Sequence, residues 1–139
     1  MNGDQFTTER QTICTLPRGW NVTGLSLSTP LPSDNEPAWS KYLAAKLGGV
    51  AEYRTIDNSR CDVLTDDYAI EVEWVKKWKE SIGQSLLYAE LTGRRPKVIL
   101  LLRGHDHERL YVDRCRMVCC RAGITLETVS TVDRSENPS

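Results

Sequence analysis

The chain has 139 residues, 40% hydrophobic and 27% charged, with a formal charge of −1. That length suits one domain with a core that needs no disulfide staples, and the composition is that of an ordinary globular fold. Near-neutrality excludes a protein that coats nucleic acid by bulk positive charge, although a local basic patch stays open. No run is apolar for long enough to span a bilayer, and Met1-Asn2-Gly3-Asp4-Gln5 lacks the profile of a secretory signal, so cytoplasmic residence is the expectation. The five cysteines, Cys14, Cys61, Cys115, Cys119 and Cys120, have no zinc-module spacing and are expected as reduced, buried thiols.

In chain order, residues 1–32 are rich in Thr, Ser, Pro and Gly and read as an N-terminal arm, unable to build a core alone and suited to packing on a neighbour. The α/β domain is expected over residues 33–130. Ser33 and Glu36 fit a capping box, and Trp39, Tyr42, Leu43, Ala45 and Leu47 give helical spacing up to Gly48-Gly49. Residues 50–56 read as a strand, followed by a hairpin of two short strands around Asp66-Asp67. Helical periodicity returns from Trp78 to Thr92, stopped by Gly93. Lys97 to Leu102 is the continuous apolar run of a strand covered on both faces. A helix outlined by Leu110, Val112, Cys115, Val118, Cys119 and Ala122 ends at Gly123, Ile124–Val129 is a last strand, and residues 131–139 are a disordered tail. Helix, three strands, helix, strand, helix, strand implies an α/β sandwich around a mixed central sheet flanked by helices.

The hairpin holds the most informative chemistry. With Asp66 and Asp67 as loop residues, Val63 faces Ile70 and Asp62 faces Glu71, and Glu73 shares that face because strand side chains alternate. Opposed acids about 5 Å apart near a protein surface repel by roughly 3 kcal/mol. A divalent cation or raised pKa values would relieve that cost. The plain alternative is an exposed sheet face carrying solvated acids.

Asp62, then Glu71-Val72-Glu73 after an amphipathic helix, with Gln84-Ser85-Leu86-Leu87-Tyr88 on the following helix, resembles the PD-(D/E)XK nuclease superfamily and the Gln-x-x-x-Tyr signature of its RecB-like and phage exonuclease branches. The likeness covers the central two thirds of the chain and implies an αβββαβ restriction-endonuclease-like core. It implies Mg²⁺ or Mn²⁺ held by Asp62, Glu71 and the Val72 carbonyl, with hydrolysis of DNA in a bacterial or phage-infected cell. Such a cation would neutralise charge on the scissile phosphate and make water nucleophilic at neutral pH. Asp62, Glu71, Glu73 and Gln84 form the expected catalytic set. The departure is Glu73, where relatives usually carry Lys. An acid there can accept a proton from water or help hold a second metal but cannot offer positive charge to phosphate, which leaves open whether Lys76, Lys77 or Lys79 substitutes.

Glu36 and Glu52 compete for the additional acid that many relatives contribute, and Glu52 is preferred because Glu36 already has a capping role. The resemblance places Gln84 near the metal-bound water or the DNA strand with Tyr88 beside it, while the plain reading is a helix-surface pair with Tyr88 half in the core. Lys76, Lys77, Lys79, Arg94 and Arg95 are candidate phosphate contacts, as against solvated cations. His105-Asp106-His107 reads as a solvated turn and Trp74 as core. The expected function is a metal-dependent deoxyribonuclease of phage or prophage type, assembling as a homo-oligomer with DNA as its partner. The alternative is a non-catalytic nucleic-acid-binding or assembly module on the same fold.

Overall fold

The computed structural model describes residues 29–31 and 34–132; most of the expected arm, Ser33 and the tail beyond Val132 lie outside them. Helix α1 spans Glu36–Leu47. Its N-cap is Asn35 rather than Ser33: the Asn35 side chain accepts the Ala38 N–H at 3.1 Å, and Pro37 sits in the first turn. Asn caps as well as Ser and here stands directly before the helix, so Glu36 becomes its first residue and not the third of a capping box. Gly48 closes the helix in the left-handed region at φ 72°. Gly49 then presses against Leu64 so closely that an added Cβ would lie 2.6 Å from the Leu64 carbonyl oxygen.

Strands β1 (Val50–Arg54), β2 (Arg60–Leu64) and β3 (Tyr68–Trp74) form an antiparallel meander. A 3₁₀ turn (Val75–Lys77) leads into α2 (Trp78–Thr92), β4 (Arg95–Leu102), α3 (Glu108–Ala122) and β5 (Thr125–Ser130). The sheet order is β1-β2-β3-β4-β5, with β3, β4 and β5 parallel, so the five-stranded sheet is mixed. The element types and order follow the sequence pattern, and α2 keeps its expected bounds.

Two cores sandwich the sheet. On one face Trp39 and Leu43 of α1 pack on Ile70, Val72, Ile99 and Leu101. On the other, Trp78 of α2 and Val112, Cys115 and Cys119 of α3 cover Val98, Leu100 and Leu126. Strand β4 therefore contributes to both, as its unbroken apolar run requires. Cys61, Cys115 and Cys119 are buried free thiols, whereas Cys120 is exposed, since it falls on the outward face of α3. Among the described residues no helix is long and apolar enough to cross a membrane.

Candidate functional site

The site begins where the β2–β3 hairpin stops zipping. Thr65 and Tyr68 close the turn, with the Thr65 N–H donating to the Tyr68 carbonyl at 2.9 Å and the Tyr68 N–H to Thr65 Oγ1 at 3.0 Å. Leu64 pairs with Ala69 and Val63 with Ile70, as the turn dictates, and there the regular pairing of the two strands ends. Beyond it the Val72 N–H donates to Asp62 Oδ2 at 2.8 Å, so a carboxylate takes the place of a backbone rung. Alternation along β2 is broken at the same point. Val63 belongs to the α1-side core, while its near neighbour Cys61 packs with Leu64, Ala69 and Tyr88. Strand β3 itself is held rigidly on its other side, with Glu71 in register with Val98 and Glu73 with Leu100.

Both glutamates are buried, Glu71 at 4% exposure and Glu73 at 5%, and Glu71 Oε1 and Glu73 Oε2 have no hydrogen-bond partner. Burial of an acid favours its neutral form. Burial, then the charges of Asp62 and Glu73, push the Glu71 carboxyl up to about 10. Burial also raises Asp62, to about 6, against the opposing pull of the Val72 N–H and a hydrogen bond with Glu71. Glu73 is raised to about 9 by burial and by a hydrogen bond with Glu36, whose charge adds to the effect, while the Lys77 ammonium acts in the opposite direction. The acids are gathered, and burial favours the neutral form of the two glutamates much more strongly than that of Asp62.

The additional acid in contact with the cluster is Glu36, freed for this by the Asn35 cap. The preferred candidate, Glu52, instead has its carboxylate ion-paired with Arg60 at 3.1 Å and lies at a left-handed kink of β1 (φ 52°), leaving only a weak field at Asp62. Gln84 is exposed on α2. Tyr88 is 8% exposed and belongs to the core with Cys61, Leu64 and Ala69, so it is a packing residue bordering the acids and not a surface contact for nucleic acid. Lys76, Lys77 and Lys79 are exposed directly after β3, with Lys79 over the Trp78 ring at 5.9 Å. Arg94 and Arg95 stand at the opposite end of the sheet. Arg94 Nε donates to the Asp66 carbonyl at 3.2 Å, and Arg95 lies 4.7 Å over the Tyr68 ring. Register places Arg95 beside Tyr68, roughly 16 Å along the strand from Glu73.

Three features escape sequence reasoning. The role of Glu36 needs the three-dimensional path of α1. Arg103 stacks on Trp74 at 3.7 Å, a pairing across parallel strands that no local pattern encodes. Glu108, 6% exposed, accepts the backbone N–H groups of Arg103, Gly104 and His105 at 2.9–3.1 Å, so the loop read as a solvated turn is pinned from beneath.

Among the described residues no three His, Cys, Asp or Glu side chains are arranged as a ready metal cage. The donors that are present suit a hard cation that retains water: two adjacent carboxyl groups, one with an oxygen lacking any protein partner, beside backbone polar groups of β3.

No family model matches the chain, and no solved structure matches it. It is similar to two KilA-N domain-containing proteins of Acanthamoeba polyphaga mimivirus. One is 27% identical over 104 residues, which is 74% of this chain and 28% of the relative. The other is 38% identical over 69 residues, 50% of this chain and 18% of the relative. The chain thus spans less than a third of the length of either.

Proposed function

We propose that this domain is a Mg²⁺- or Mn²⁺-dependent nuclease that hydrolyses phosphodiester bonds in DNA, on a restriction-endonuclease-like core of the PD-(D/E)XK type. The reading rests on one observation above all: two glutamates on adjacent inward positions of β3 are buried, each with a partnerless carboxylate oxygen, beside Asp62. Burying a carboxyl oxygen without a partner costs about 1–3 kcal/mol, and more if it is charged, which a site kept for binding explains and a purely structural core does not. The antiparallel β1–β3 meander joined through α2 to a parallel β4 agrees with the αβββαβ order the resemblance implies.

Asp62 and Glu71 would hold the metal, with the Val72 carbonyl, which in an extended strand lies on the same side as its N–H, as a third donor. When bound, the metal supplies charge neutralisation at the phosphate and a water that is nucleophilic at neutral pH. The Val72 N–H fixes the orientation of Asp62. Glu73, paired with Glu36, accepts a proton from water once ionised, and Lys77 favours that ionised form. Lys77 would thereby supply some of the positive charge that members of the PD-(D/E)XK superfamily usually bring with a lysine in place of Glu73.

Incubating the protein with linear, circular and single-stranded DNA and Mg²⁺ or Mn²⁺ tests this, with cleavage expected and lost in Asp62→Ala and Glu71→Ala. Absence of cleavage by the parent chain, or cleavage that survives both substitutions, overturns it. Binding without turnover, and without metal-dependent thermal stabilisation, would establish the non-catalytic module.

A further inference from the structure

At the C-terminal ends of β3 and β4 a cleft of about 270 Å³ is lined by Trp74, Lys76, Arg103, His105, His107 and Tyr111. The Arg103 guanidinium carbon lies over the Trp74 indole, 3.7 Å from the ring centroid, and Arg103 is an exposed residue. His105 and His107 stack with ring centroids 5.4 Å apart and 7° between planes, and His107 meets Tyr111 edge to face at 6.0 Å. Flat π surfaces with cations at the rim are the combination by which proteins hold unpaired nucleotides, stacking the base and neutralising the phosphate. The volume falls just under the ~300–1,000 Å³ of pockets for drug-sized ligands, so it suits one ring and its phosphate.

The cleft is also built to keep its shape. The Glu108 carboxylate holds the Arg103, Gly104 and His105 amides and so fixes the loop that carries both the guanidinium and the histidines. Its place in the fold is that of ligand sites in open α/β sheets, outside the carboxyl ends of parallel strands. Lys76 follows Glu73 by three residues, a separation of at most about 11 Å even for fully extended chain, close to one or two nucleotide steps from the acids.

We propose that this cleft binds one nucleotide unit of a single DNA strand, the base against the His105–His107–Tyr111 rings and the phosphate on Arg103 and Lys76. The inference rests on the nuclease reading, for it supplies the strand that the acids would cleave, and it predicts a preference for single-stranded or frayed ends over intact duplex.

Fluorescence anisotropy of the full chain in EDTA separates binding from cleavage. A labelled oligothymidylate and the same backbone with abasic residues are titrated against the parent, the His105→Ala/His107→Ala double variant and Arg103→Gln. The parent should bind the base-bearing strand on the order of ten-fold more tightly than the abasic one. The double variant should lose that discrimination, and Arg103→Gln should weaken both strands alike. Equal affinity of the parent for both strands means phosphate attraction alone and overturns the proposal, as does a double variant that discriminates like the parent. Circular dichroism melts of the same variants confirm that they fold. Because no metal is present, a parent that does not discriminate between the two strands sinks the cleft while leaving Mg²⁺-dependent cleavage to decide the nuclease reading separately.

Discussion

Replacing Glu71 by Gln should make the metal-free protein more stable, although it removes an inward acid of the site. In the fold the Glu71 carboxyl is raised from 4.5 to about 10. The folded state therefore binds more protons than the unfolded chain throughout that window, and stability falls as pH rises from about 4.5 toward 10. At pH 7 the group is still neutral in the fold, while unfolding would release its proton. The interval from 4.5 to 7 is worth at most about 3 kcal/mol at about 1.4 kcal/mol per unit. Gln keeps the shape and donor capacity of the neutral acid without titrating, so Glu71→Gln should gain about 1–3 kcal/mol at pH 7, a rise of several degrees in Tm. Thermal melts of parent and variant in EDTA from pH 5 to 9 measure this directly. The gap should widen with pH, and Mg²⁺ or Mn²⁺ should close it by stabilising the parent alone. A variant less stable than the parent at pH 8, or a parent whose Tm climbs between pH 6 and 9, refutes the picture of glutamates held neutral by burial.

Lys77→Ala removes the cation that opposes protonation of Glu73, so the alkaline shift of Glu73 should grow and a pH–rate profile should move to higher pH, with each unit lowering activity about ten-fold on its acidic limb. An unmoved profile separates Lys77 from the site. Gly49→Ala drives a Cβ to within 2.6 Å of the Leu64 carbonyl and should cost about 1–3 kcal/mol in chemical denaturation, with β1 and β2 shifting apart. Glu108→Ala strips the acceptor from three loop amides and should cost about 2–3 kcal/mol, while hydrogen exchange at Arg103, Gly104 and His105 accelerates out of proportion to the global change. Uniform acceleration would mean that the carboxylate supports the whole fold and not that loop.

Local patterns carried the architecture far. The alternation in Tyr68–Trp74, the glycines at 48, 93 and 123 and the apolar run at 97–102 each fix one element, and the Asp66-Asp67 turn fixes the pairing of Val63 with Ile70. The pairing ends there, and it is the bond from the Val72 N–H that draws the Asp62 carboxylate to the glutamates of β3. What stayed hidden depends on tertiary placement. Glu36 looked like half of a cap because only the path of α1 carries it to Glu73. Glu52 looked inward because strand alternation assumes an unkinked β1, and its left-handed backbone breaks that assumption. Arg94 and Arg95 bracket α2 together with Lys76 and Lys77, yet the parallel return of β4 carries the arginines to the hairpin turn, away from the acids.

The bond from the Val72 amide to Asp62 makes the position of the acids sensitive to loop length. Inserting or deleting one residue between Leu64 and Tyr68 would slide β2 by a half-period of the pleat, turn Val63 outward and present the amide with a neighbour unable to accept. The turn thus acts as a ruler, and its length should tolerate change less than its composition.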